Sequence, residues 1–126
     1  MQAIMAKPKQ HKAVDAVPDG MYRARLAEVT QFTNAFGYRL GFVFEIEEGE
    51  QAGKRLMRSS SSELSSKGLL HQIISGILGR NLTAQELEQG FNVASLVNER
   101  CNILVKRAQS KAGQVFSNVE QVFKQT

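Results

Sequence analysis

The sequence predicts a mainly β domain of five strands, with a helical insert between the third and the fourth. Three observations predict it. Over residues 21–29 and 38–47 every second side chain is apolar, the period of a half-buried strand. Over 67–78 the apolar spacing changes to that of a helix. After a short second helix the chain returns to strand-like runs, CNILVKRAQ and QVFSNVEQVF, joined by the turn SKAG.

Each element follows in order. Residues 1–17 show no sustained periodicity and read as a flexible arm carrying Lys7, Lys9 and Lys12, ahead of one domain over 18–126. The first strand runs from Met21 to about Phe32, with Tyr22, Ala24 and Leu26 on one face and Arg23 and Arg25 on the other. Its pattern slips near Ala27 to Val29, where a bulge would bend the strand and let it serve two parts of a curved sheet. Asn34 to Gly37 makes the turn. The second strand sets Tyr38, Leu40, Phe42, Phe44 and Ile46 inward, against Arg39, Gly41, Val43, Glu45 and Glu47. EEGEQAG closes the hairpin, and the third strand runs from Lys54 to about Ser59.

In the stretch KGLLHQIISGIL, Leu69, Leu70, Ile73, Ile74, Ile77 and Leu78 form one apolar stripe, the mark of a helix packed on the sheet. Thr83 followed by Glu86 is a capping-box pattern for a second helix, with Gly90 as its stop. Val93 to Val97 then returns to the core. This order matches an OB-fold, a five-stranded Greek-key barrel with its helix between strands three and four. An open antiparallel α+β sheet is the rival architecture that the same string can build.

At 126 residues the chain has room for one core. No apolar run approaches the roughly 20 residues of a spanning helix, and the N-terminal lysines are followed by no signal-type apolar region. No membrane association and a cytoplasmic location are therefore expected. The lone Cys101 sits in an apolar run and reads as a buried structural thiol. The formal net charge of +4 suits a polyanionic partner. Because Glu45, Glu47, Glu48 and Glu50 crowd one turn, positive charge is expected to gather elsewhere while this acidic tip stays apart.

Enzymatic readings find little to stand on. The two histidines, His11 and His71, have no partner at metal-ligand spacing, and no carboxylate neighbours His71 in sequence. Ser59 to Ser62 lack the G-x-S-x-G frame of a nucleophile elbow. GEQAGKR has three residues between its glycines, where a phosphate loop needs four, and carries Arg55 where the magnesium-binding hydroxyl belongs. The glutamates around it lack the ligand alternation of a calcium loop. No catalytic residue, metal or cofactor is assigned.

A nucleic-acid reading has both residue types it needs: cations to follow phosphates, and aromatic faces on which bases stack. Arg39, Arg55, Arg58, Lys106, Arg107 and Lys111 are the expected phosphate contacts, and Phe36 and Phe116 the expected stacking residues. In an OB-fold they would converge across strands two and three, between the loops joining strands one to two and four to five. Phe32, beside the first turn, reads either as core or as a further stacking residue.

The run from Asp19 to Arg55 resembles a family of small phage and mobile-element proteins regarded as single-stranded-DNA-binding and usually encoded beside recombination or replication genes. Pro18, Gly20 and Tyr22 match that family's start, Phe44, Glu45 and Ile46 its central strand, and Gly49, Gly53 and Lys54 its turn; Asn118 and Val119 fall in a similar last strand. The resemblance implies a non-catalytic protein that coats single-stranded DNA in recombination or replication of phage or plasmid type. Its expected partners are single-stranded DNA and a recombinase or other replication protein, with self-association allowed. The alternative is an interaction module that docks a partner protein through a sheet edge and the Glu-rich hairpin.

Overall fold

A computed structural model describes residues 16–35 and 37–125. Five antiparallel strands, β1 (Gly20–Asn34), β2 (Gly37–Ile46), β3 (Arg55–Ser61), β4 (Arg100–Gln109) and β5 (Val115–Lys124), form one sheet in the order β3-β2-β1-β4-β5. Between β3 and β4 lie α1 (Leu69–Leu78), α2 (Ala84–Gln89) and a single 3₁₀ turn (Val93–Leu96). The mainly β class and the helical insert are as the periodicity predicts.

The first strand organises the rest. Its N-terminal part, Gly20 to Arg25, pairs with β4, and Ala24 to Asn34 pair with β2. Between Leu26 and Glu28 the register with β2 shifts by one residue, the bulge that the slipped pattern predicts. An extra residue on one strand bends it and adds twist, so β1 turns from one half of the sheet into the other. The sheet curls into a half-barrel, and its two end strands approach closely enough for Arg58 on β3 to donate to Asn118 Oδ1 on β5 at 3.4 Å.

The concave side holds the core: Leu26, Phe42, Phe44, Ile46, Leu56, Ile103, Val105 and Val119 from the strands, with Ile74 and Ile77 from α1. Among the side chains of β2, those of Tyr38 and Val43 depart from the simple alternation. Tyr38 is 49% exposed because the strand runs past the end of the core, whereas Val43, on the opposite face, is only 3% exposed. Cys101 is fully buried, and burial, with Glu47 nearby, pushes its thiol up to about 12. Val17, assigned from sequence to the arm, belongs to this core, and its N–H and C=O both bond the Ser117 hydroxyl at 2.8 and 2.9 Å. The lysines of the arm lie outside the described residues.

The helical insert is fastened at specific points. At Gly76 an added Cβ would sit 2.2 Å from the Val122 carbonyl oxygen, so the bare helix backbone rests directly on β5. Gly79 ends α1 in the left-handed region at φ 78°, and its N–H bonds the Ser75 carbonyl. His71 is buried and joins two loops: Nδ1 lies 2.8 Å from the Ser66 carbonyl and therefore donates, while Nε2 accepts from the Leu82 N–H at 3.0 Å. The predicted capping box at Thr83 and Glu86 is present, and Arg80 binds the same carboxylate at 2.9 and 3.1 Å, which holds Glu86 down at about 2. Among the described residues, no helix is long and apolar enough to cross a membrane.

Candidate nucleic-acid interface

Strand register decides which of the predicted cations share a surface. On the outer side of the β1–β2–β3 half, β2 presents Arg39, Gly41, Val43 and Glu45 in turn. Their cross-strand neighbours are Phe32 and Ser61 for Arg39, Thr30 and Ser59 for Gly41, Glu28 and Met57 for Val43, and Arg25 and Arg55 for Glu45. One end of this row is an arginine among hydroxyls and an aromatic ring. The other is a set of opposed charges.

At the first end the side chains close over the backbone. A Cβ at Gly41 would meet Met57 Sδ and Thr30 Oγ1 at 2.8 Å and Phe32 Cε1 at 3.3 Å, so glycine lets Phe32 and Met57 lean together into a half-buried apolar platform. Val43, whose cross-strand neighbours are Glu28 and Met57, is buried on this otherwise outward face. Beside it, Arg39 reaches Ser59 Oγ only at 3.5 Å through Nη2, and its Nε is shielded from solvent without a protein partner. The Nη groups, with one long bond between them, are the donors left for an incoming anion.

At the second end, charge is matched. Arg55 Nε meets Glu45 at 3.0 Å, with Glu28 at 4.0 Å. Arg25 lies 3.6 Å from Glu45 and 3.9 Å from Glu47, Arg23 3.6 Å from Glu48, and Arg100 3.3 Å from Glu47. The acidic tip does not stay apart, as the sequence suggests; β1, β3 and β4 bring arginines to three of its four glutamates. Such exposed pairs add little to stability, but they cancel the field that would draw a phosphate toward Arg55.

The β4–β5 hairpin has the opposite character. From Leu104 to Val119 it contains no acidic residue, and Lys106, Arg107 and Lys111 are all exposed. Its turn is set by the Ser110 N–H on the Gln114 carbonyl at 2.8 Å and the Gly113 N–H on the Ser110 carbonyl at 2.9 Å. Phe116 stands opposite Ala108, and by alternation shares its face with Lys106 and Asn118; it is 42% exposed, next to Val115 at 58%. The nearby Asp19 accepts from the Arg107 backbone N–H at 2.8 Å. That bond tethers the chain entering β1 to the hairpin.

The predicted site residues are thus divided. Arg39 and Arg55 share the outer face of β2 and β3 but sit in unlike surroundings. Lys106, Arg107, Lys111 and Phe116 form a second group on the β4–β5 hairpin. Arg58 stands opposite Phe42, on the concave side, with Leu56 and Ser60, and points into the seam between β3 and β5. Phe36 lies outside the described residues. Met57 and Thr30, which with Phe32 close over Gly41, and Ser59, which meets Arg39, carry no role in the sequence-based reading. The signal for two of them is in the string: period two along RLMRSSS puts Met57 and Ser59 with Arg55, and Arg58 with Leu56.

No family model and no curated protein sequence matches this chain.

Proposed function

We propose that this protein is a non-catalytic single-stranded-DNA-binding protein with an OB-type barrel. The observation that carries the reading is the acid-free stretch of the β4–β5 hairpin, which holds three exposed cations and an exposed phenylalanine. A single strand offers a phosphate on every residue and an unpaired base between phosphates, and this hairpin offers the matching pair of contacts. Strand order supports the barrel: β1 is shared between two halves, and the end strands β3 and β5 meet through Arg58 and Asn118, as they would on closing a Greek-key barrel. The Arg39–Phe32–Met57 platform on the outer face of β2 is the second contact region, across the strands where an OB-fold carries its ligand. The resemblance of residues 19–55 to phage and mobile-element proteins supports a role in recombination or replication.

The partner-docking alternative loses one of its two supports, since the Glu-rich hairpin is engaged by the protein's own arginines. Fluorescence anisotropy with a labelled oligothymidylate and with duplex of equal length tests the proposal. Preference for the single strand, with affinity falling steeply as salt rises, is expected. Equal or tighter binding to duplex would refute it.

A further inference from the structure

At the sheet end that carries the β1–β2 turn, the concave side opens into a pocket of about 350 Å³ between the strands and the loop that follows α2. Ile74 of α1, fully buried, lies at its floor, and the side chains of Tyr38 and Phe91 stand among its walls. Gln31, Ser62 and Asn92 supply polar groups, and among the described residues no charged side chain lines it. The Tyr38 and Ser62 hydroxyls and the Gln31 amide bond no other group of the protein among the described residues. Asn92 uses its Oδ1 to cap the 3₁₀ turn, accepting from the Ala94 N–H at 3.1 Å, which leaves its amide N–H groups as donors.

We infer that this pocket takes one nucleobase of the bound strand, its face against Tyr38 and Phe91 and its polar edge toward Gln31, Ser62 and Asn92. The inference rests on the single-strand reading and names what that strand places here. The chemistry of the walls selects the occupant. A seated phosphate, carboxylate or ammonium would be buried without a counter-charge. An aliphatic side chain would cover the hydroxyls and amides without bonding them. An unpaired base has apolar faces and an edge of neutral donors and acceptors, and such bases are held by stacking and edge hydrogen bonds together. Position selects it too. Gln31, Tyr38 and Ser62 are the chain neighbours of Phe32, Arg39 and Ser61, which the register lines up as one row across β1, β2 and β3. The rim of the pocket and that row are therefore two faces of one sheet end. Arg39 forms no ion pair among the described residues, so a phosphate held there leaves its base beside the pocket mouth.

The test uses the full chain, labelled with nitrogen-15, and two probes of equal length: an oligothymidylate and an oligomer of abasic deoxyribose phosphates. Amide shifts at residues 31, 38, 62 and 90–93 are expected with the oligothymidylate and not with the abasic oligomer, which keeps the phosphates and lacks the base. Tyr38→Ala should lower affinity for the oligothymidylate about tenfold and leave that for the abasic oligomer within about twofold. Tyr38 belongs neither to the buried core nor to the residues packed against it, so this variant keeps its fold. Phe91→Leu, which retains apolar contact but loses the ring, should lower the oligothymidylate affinity alone, by a smaller factor. If the oligothymidylate binds the parent chain without shifting these amides, or the abasic oligomer shifts them equally, the inference falls and the single-strand reading stands. The same holds if Tyr38→Ala weakens both probes alike or neither. An oligothymidylate that does not bind the parent chain would overturn both.

Discussion

Two hairpins of this sheet, β2–β3 and β4–β5, are built from similar residue types and arrive at opposite electrostatic states. Around the β2–β3 hairpin, Arg23, Arg25, Arg55 and Arg100 face Glu28, Glu45, Glu47 and Glu48, and the arginines are held in pairs between 3.0 and 4.0 Å. Around the β4–β5 hairpin, Lys106, Arg107 and Lys111 lie in a stretch, Leu104 to Val119, that holds no acid of its own, and the neighbouring Asp19 carboxylate bonds the Arg107 backbone N–H. A cation's availability to a polyanion is therefore set by what the register places beside it. Position within a strand and net charge of the chain do not determine it. Arg55 and Lys111 count equally in the sum of +4, yet a phosphate approaching Arg55 must displace a carboxylate, and one approaching Lys111 displaces water.

The largest expected effect tests whether both hairpins hang on one core. Phe44 is fully buried, between Leu26 on β1 and Leu56 on β3, and Phe44→Ala should cost about 3–5 kcal/mol by urea denaturation. A loss below about 1 kcal/mol would mean that the register, and with it the contrast between the hairpins, is misassigned. Next comes Phe116→Ala, which should weaken oligothymidylate binding by about 1–3 kcal/mol and leave its salt dependence nearly intact, since a base–aromatic contact releases few counterions. Unchanged affinity would remove Phe116 from the interface.

Gly76→Ala sharpens the account of the helical insert. Helix propensity alone favours alanine by about 1 kcal/mol, but its Cβ would meet the Val122 carbonyl at 2.2 Å, so a net destabilisation of about 1–3 kcal/mol is expected. A stabilised variant would show that α1 does not rest on β5. The smallest effect concerns Arg80 and Glu86, an ion pair remote from both hairpins. The Arg80 bond and the Thr83 N–H hold the Glu86 carboxyl at about 2, below its ordinary 4.5. A depressed carboxyl stabilises the fold above its unfolded value and loses that contribution as pH falls. The stability difference between the parent chain and Glu86→Gln should accordingly be constant above about pH 5 and shrink between 4.5 and about 2. A difference that does not vary over that window would deny the pair its assigned role.

Much of the fold was legible because it is local. The bulge at Leu26 and Glu28 showed as a slipped alternation, and the capping box as a threonine three residues before a glutamate. Arg58 could have been separated from Arg55 by alternation alone. The charge pairs could not, since Glu45 meets Arg55 and Arg25 only once three strands are aligned in register, and no local pattern encodes that alignment. The burial of Val43 was hidden for the same reason: its cross-strand neighbours, Glu28 and Met57, come from two other strands. The glycine in the middle of α1 was visible, but the β5 carbonyl that requires it was not.

The central claim is that the cations of the β4–β5 hairpin, and not the ion-paired Arg55 end of the β2–β3 hairpin, supply phosphate contacts. The direct measurement is the slope of log affinity against log salt for one oligothymidylate, compared among the parent chain, the combined Lys106→Ala, Arg107→Ala and Lys111→Ala variant, and Arg55→Ala, after each is shown to fold. The account predicts that the combined variant flattens the slope by about 2, near 0.7 for each phosphate that is no longer neutralised, while Arg55→Ala leaves it within about 0.3 of the parent. A slope unchanged in the combined variant, or flattened as much by Arg55→Ala alone, would contradict it.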